Sequence, residues 1–244
     1  MRLQAITCDM LLRPVQRLAA ESPHEVAVAR LSASLHAQPA SLRERIQAKV
    51  DEAVPDAEAV VLAYGLCGGA TAGLRARDVP LVLPRAHDCA TIFLGSRERY
   101  REEHEATPGT YWYTDDQLER GNALKGWLLG DAARSEDVEI TRRDYVERFG
   151  KDNADYLMET LGEWSTRYER GVFLDTGMTP SREAIDQARA ESTQRGWRFE
   201  QIPADLTLIR RLLFGDWDDD FQVIEPGQEL AMSYDDEVVR AVPA

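Results

Sequence analysis

The sequence predicts an α/β protein: Rossmann-like parallel sheets with helices on both faces, arranged as two lobes joined by a helical middle section. Three observations lead there. Short apolar runs such as Glu58-Ala-Val-Val-Leu-Ala-Tyr64 and Val79-Pro-Leu-Val-Leu-Pro84 stop at Gly or Pro, as parallel strands covered on both faces do. Helical segments alternate with them, which favours a parallel sheet. A second β-α series then starts at Gly171. The boundaries read this way are an N-terminal lobe over 1–110, an aromatic turn and helical connector over 111–170, and a smaller C-terminal lobe with a tail over 171–244.

In chain order, Leu3-Gln-Ala-Ile-Thr-Cys8 is a strand, and a helix follows over Leu11–Ala20 with Pro14 in its first turn. Glu25–Ala29 is a strand. Ser41 with Glu44 has capping-box spacing, and Leu42, Ile46 and Val50 recur every four residues along one helix face. Strands ending at Tyr64 and Pro84 follow. A helix then runs from Ala90 through His104, broken at Gly95, and Thr107–Thr110 is a turn. Within the connector, Asp115–Asp137 reads as a weak helix with a loop, Thr141–Phe149 as a helix, and Asn153–Arg170 as another. Beyond it come the strand Gly171–Asp175, a helix over Ser181–Arg195, the strand Trp197–Ile202, and a helix over Leu206–Phe214 capped by Asp205. Phe221–Ile224 is the last strand expected, and Ser233–Ala244 reads as a loosely packed tail.

Composition narrows the function classes. Lys and Arg number 29 against 43 Asp and Glu, a net charge of -14, which argues against nucleic acid and anionic membrane surfaces as partners. No apolar run approaches the ~20 residues that span a bilayer. The start, Met-Arg-Leu-Gln-Ala-Ile-Thr-Cys, enters a strand without an apolar signal segment, so the expected location is cytoplasmic. In that reducing compartment three cysteines point to metal ligation, catalysis or burial rather than to a disulfide.

The chemistry is concentrated between Tyr64 and Ser96. Cys8, Cys67, His87 and Cys89 each follow a predicted strand, and strand ends of an open α/β sheet form the crevice where ligands bind. Thiolate and imidazole donors favour zinc, or iron in an iron–sulfur cluster of the 4Fe-4S kind, over calcium or magnesium. Cysteine is also among the most buried residue types, so the same three residues fit a simple core. Gly65-Leu-Cys-Gly-Gly69 with Gly73 does not match a dinucleotide or P-loop fingerprint; it reads as a tight turn that brings backbone close to Cys67. Arg85 is expected either to grip a substrate anion or to pair with Asp88, and Asp88 to orient an imidazole. His87, Arg85 and Asp88 are therefore the catalytic candidates. Tyr64, Tyr111 and Tyr113 are the substrate-binding candidates, the last two in the triplet Tyr111-Trp-Tyr113. His36 is a candidate fourth ligand or proton carrier, and His24 and His104 receive no role. Asp175-Thr-Gly177 and the acidic run Asp216-Trp-Asp-Asp-Asp220 read as a cap and a solvated turn.

The combination Tyr-Gly-Leu-Cys-Gly from Tyr64, Pro-Arg-Ala-His-Asp-Cys from Pro84, Ile-Phe-Leu-Gly-Ser from Ile92, Pro-Gly-Thr-Tyr-Trp-Tyr from Pro108 and the strand-end Cys8 resembles the family "domain of unknown function 1638". The similarity runs from Leu3 to about Gln228. Relatives stand beside corrinoid-dependent methyltransferase genes in methylotrophic archaea, so the resemblance implies one-carbon chemistry and a corrinoid protein as a candidate partner. Cys8-Asp9 stands where relatives tend toward Cys-Glu. His87-Asp-Cys89 also resembles the local pattern of zinc-dependent thiol methyltransferases. The expectation is a metal-dependent enzyme, with zinc or an iron–sulfur cluster, that transfers a methyl or similar group from a small molecule to a thiol. The rival is a metal- or corrinoid-handling accessory protein without turnover. A third reading is a metal-free binder whose cysteines are core.

Overall fold

The computed structural model describes residues 1–119, 146–147, 150–152, 168–178 and 182–244. Most of the connector expected over 111–170 lies outside them, including the helices read at Thr141–Phe149 and Asn153–Arg170. What is described is mixed α/β, with two parallel arrays of strands.

The first sheet has the order β2-β1-β3-β4-β8. Strands β1 (Arg2–Cys8), β2 (Glu25–Leu31), β3 (Ala59–Ala63) and β4 (Leu81–Pro84) run parallel, and β8 (Phe221–Ile224) closes the edge antiparallel to β4. From β1 the chain adds β2 on one side, then crosses back to add β3 and β4 on the other. β3 and β4 are buried at every residue, the expected signature of strands covered on both faces. Helix α1 (Leu12–Glu21) buries Leu12, Val15 and Leu18, and α2 (Pro39–Asp51) buries Leu42, Ile46 and Val50. The α2 apolar face is as expected, but its start is not. The helix begins at Pro39 after Gln38, leaving Ser41 inside it with its hydroxyl on the Gln38 side chain. Proline at the first helical position forfeits only an N–H that would be unpaired anyway.

After β4 come α3 (Cys89–Leu94) and α4 (Arg97–Ala106), separated at Gly95, whose φ of 79° is left-handed. A second, three-stranded parallel sheet follows: β5 (Thr110–Tyr113), β6 (Arg170–Asp175) and β7 (Arg198–Pro203), with β6 central. Short α5 (Asp115–Glu119) precedes the undescribed stretch, and α6 (Arg182–Gln194) joins β6 to β7. Helix α7 (Thr207–Phe214) then carries the chain back to the first sheet, packing on α1, β3 and β4 with Leu208, Ile209, Leu212 and Leu213 buried.

Two expectations are corrected by this path. The lobe drawn over 171–244 is divided, because α7 and β8 belong with the first sheet and only β6, α6 and β7 with the second. The segment read as a loose tail is a hairpin, β9 (Gln228–Met232) paired with β10 (Val239–Pro243), with Leu230, Val238 and Val239 buried. The acidic Asp235–Glu237 turn hid it, since only Leu230 before the turn and Val238 and Val239 after it reach the core.

Gly65 sets the distance between the loops that follow β3 and β4. Leu66 N donates to Ala86 O at 2.8 Å and Cys67 N to His87 O at 2.9 Å. A Cβ on Gly65 would stand 2.7 Å from Asp88 N and 2.9 Å from Ala86 O, both backbone atoms that cannot swing aside. Gly65→Ala is therefore expected to destabilise the fold by about 2–3 kcal/mol, the cost of forced overpacking, or roughly 5–10 °C in Tm. Thermal unfolding by circular dichroism measures this, and a variant as stable as the parent would mean that the two loops separate freely.

Candidate functional site

The three cysteines come from three neighbouring parallel strands. Cys8 ends β1, and Cys67 and Cys89 lie just past β3 and β4. The order places β1 and β3 side by side where the winding direction reverses, the position at which open α/β sheets bind ligands. Cys67 N is tied to His87 O across the Gly65 contact, which holds the Cys67 turn against the loop leading to Cys89. Cys67 itself has φ 49°, and Gly68 and Gly69 continue at 66° and 86°. A left-handed cysteine is a strained residue of the sort that clusters at functional sites. Arg43 steadies the turn from α2, its guanidinium donating to Gly69 O at 3.0 Å.

All three thiols are free. Burial is the main cause that raises each of them, and each is raised further by another thiol or a neighbouring aspartate. Cys8 is 2% exposed, and desolvation, with the charge of Asp9, pushes it up to about 12. Cys67 and Cys89 are half-buried and face a cavity, so water offsets part of the upward push on them. Tyr64 lies beneath, 1% exposed, with its hydroxyl buried and without a hydrogen-bond partner among the described residues. Burial, and then the charges of Cys8, Cys67 and Asp9, raise that phenol well above its usual range.

The cavity has a volume of about 570 Å³, within the range of small-molecule sites. Its described lining includes Met10, His36, Cys67, Asp88, Cys89, Tyr100, His104, Trp112 and Tyr168. His36 stacks on Tyr64 with ring centroids 6.1 Å apart. Its Nδ1 lies 3.0 Å from Ala33 O, and a carbonyl only accepts, so Nδ1 carries the proton and Nε2 keeps its lone pair. Burial lowers the His36 pKa, which favours this neutral form.

The other expected residues go elsewhere. His87 lies on the bend before α3 and lines a second cavity of about 590 Å³, together with Arg97, His104 and Glu237. The helix starts at Cys89, so the chain turns between the two residues of the His-x-Cys pair and aims them at different spaces. Asp88, expected to orient an imidazole, caps α3 by accepting from Thr91 N at 3.0 Å and Thr91 Oγ1 at 3.2 Å. Arg85 does not pair with Asp88. It donates to the carbonyls of Glu237 and Val239 and pairs with the Glu237 carboxylate at 2.9 Å, pinning the C-terminal hairpin. Strand alternation along β5 decides the aromatic triplet: Tyr113 is buried, Tyr111 packs with Tyr113, Tyr168 and Trp197, and Trp112 reaches the cavity. Trp112 was expected on a pocket wall only as part of the aromatic triplet, and the sequence alone assigned no role to the Tyr100/His104 pair, four residues apart on α4, although helical spacing was the available signal. Asp175 accepts from Gly177 N and Asp218 and Asp220 pair with Arg211, so both acidic motifs are structural. Among the described residues, no group of three or more His, Cys, Asp or Glu side chains stands ready to hold a metal ion.

A family model described as protein of unknown function (DUF1638) matches residues 30–213, three quarters of the chain. The chain belongs to this family. The match takes in Cys67 and Cys89 but begins after β1, so Cys8 and β8 fall outside it, and it is shorter than the Leu3–Gln228 span read from the motifs. No curated protein and no solved structure matches the chain.

The cysteine environment predicts an alkaline liability. The folded protein holds the Cys8 proton more tightly than the unfolded chain, so stability is full below the ordinary thiol value of 9.0 and falls as pH rises toward about 12. The expected slope is about 1.4 kcal/mol per pH unit for that thiol. Urea unfolding of chelator-treated protein across pH 8–11, compared with Cys8→Ala, should show the variant losing less stability per pH unit; parallel curves would refute the dry placement of Cys8. Arg85→Ala should lower stability by about 1–3 kcal/mol through the lost charged hydrogen bonds while leaving ligand binding in the cavity unchanged; a thermal shift alongside a binding isotherm separates the two.

Proposed function

We propose that this protein is a metal-dependent enzyme in which Cys8, Cys67 and Cys89 hold a thiophilic ion, zinc in preference to an iron–sulfur cluster, beside a small-molecule chamber. The observation that carries the reading is the gathering of three thiols from three adjacent strand ends at the β1/β3 reversal of a mainly parallel sheet, with two of them on the wall of one cavity. The donor chemistry suits zinc, for which soft thiolates are strong ligands. The thiols do not converge on one point, and each has a single heavy-atom rotation, about χ1, by which to close the set. His36 is an imidazole on the same cavity, with Nε2 left to accept, and it takes the part that the His-x-Cys spacing assigned to His87. Bound there, zinc would supply a Lewis acid able to keep a substrate thiolate nucleophilic near neutral pH. Transfer of a methyl or similar group to a thiol is the reaction class this chemistry serves.

A site at the bottom of a chamber, with Cys8 and Tyr64 buried behind it, suits turnover better than display to a partner. The third reading, a metal-free binder, draws on the thiols being unassembled among the described residues. Metal titration decides between them. Because all three thiols hold their protons in the metal-free protein, zinc must displace protons as it binds, and its affinity should rise steeply with pH, by up to about tenfold per pH unit for each proton released. Protein purified without oxygen or chelators is expected to carry roughly one zinc per chain, lost in Cys67→Ser and Cys89→Ser. Absence of metal in that protein, with no uptake on addition, would sink the proposal. Cobalt substitution giving an intense sulfur-to-metal band in the near ultraviolet would place thiolates on the ion.

A further inference from the structure

We infer that the thiol-lined chamber takes an organic cation, an alkylated ammonium or sulfonium group, and rejects anions. Three features of the wall lead to this. Trp112, Tyr100 and Tyr168 place three electron-rich rings around one cavity, from β5, α4 and the segment before β6. A cation over such rings is attracted by their quadrupoles, and the attraction strengthens where water is excluded. Asp88 adds a carboxylate whose hydrogen bonds come from neutral donors, the Thr91 N–H and hydroxyl; among the described residues no Lys, Arg or His pairs with it. Finally, neither Lys nor Arg is among the described residues that line the chamber, although the chain has 29 of them. Among those residues, a carboxylate or phosphate ligand would meet the Asp88 carboxylate and neither Lys nor Arg. The second cavity differs in this respect, since Arg97 and Arg101 line it.

The bulk of the group matters as much as its charge. A small hydrated ion such as sodium would give up its water shell to rings and thioether without recovering enough oxygen ligands. An alkylated onium group is weakly hydrated and presents methyl or methylene surface to Met10, Pro39, Pro108 and the rings. The inference rests on the reading of this cavity as the substrate chamber but not on the metal. Three thiolates with one divalent ion carry a net charge of about -1, so a loaded site would keep the same preference.

The test uses the full chain, purified anaerobically, with three probes of one shape. Choline is the cation, 3,3-dimethyl-1-butanol its neutral carbon isostere, and 3,3-dimethylbutyrate the anion. Isothermal titration should give measurable binding of choline, about tenfold weaker binding of the alcohol, and none of the acid. Asp88→Asn keeps an N-cap side chain, and Trp112→Leu keeps an apolar wall; each is expected to weaken choline by about tenfold while leaving the alcohol unchanged. The inference is overturned if nothing binds, if the alcohol or the acid matches choline, or if both variants bind choline as the parent does. Zinc content measured on the same samples keeps the two ideas apart. In the parent protein, zinc present without choline binding defeats the cation inference alone, and choline binding without zinc defeats the metal reading alone.

Discussion

The candidate site depends on a backbone contact with no side chain on one of its two sides. At Gly65 the loop after β3 comes so close to the loop after β4 that the next two residues hydrogen-bond across the gap, Leu66 to Ala86 and Cys67 to His87. The contact is made where the chain leaves the sheet, so it fixes Cys67 and Cys89 relative to each other before any side-chain interaction does. Cys8 needs no such device. It is the last residue of β1, the neighbour of β3 in the sheet, and ladder register alone sets its height. One cysteine is thus held by the sheet itself, and the other two by a glycine that lets two loops touch.

Electrostatics follow from that placement. A thiol in a dry setting keeps its proton, and the nearby charges that act on these thiols, Asp9, Asp88 and one another, are all negative. The pocket is therefore unfavourable for anions of any kind, its own thiolates included. A positive species relieves this, whether a metal ion among the sulfurs or an onium group before the rings. The neutral His36, with its proton committed to Ala33, fits the same pattern: it contributes a lone pair rather than a charge.

The strand-and-helix series of the first sheet was legible because its signals are local. Continuous apolar runs at β3 and β4, the four-residue spacing of α2 and Gly95 between α3 and α4 each report on their own segment. The gathering of Cys8, Cys67 and Cys89 at one edge was legible for a related reason, since in a parallel sheet all strand ends point the same way. What was not legible depends on orientation or on distant partners. His87 and Cys89 looked like a pair until a helix began between them, and Tyr111 and Tyr113 looked like a wall until the pleat turned Trp112 to the cavity. Arg85 gained its partners from residues 152 and 154 positions later, and no local pattern announces those. The hairpin β9/β10 was hidden because its core residues are few and its turn is acidic.

The antiparallel strand β8 has a consequence for how the protein is made. β4 is complete at Pro84, but the strand that covers its open edge is not synthesised until Phe221–Ile224. In the interval the whole second sheet has to emerge, and Leu81–Pro84, apolar at every position, stays an unpaired edge. At ribosomal speeds of about 5–20 residues per second, the gap lasts on the order of ten seconds or more. The first sheet is thus begun at Arg2 and completed only at Ile224. A nascent chain released before β8 would expose a sticky edge directly beside the cysteines, and this ties the quality of the site to the synthesis of that strand.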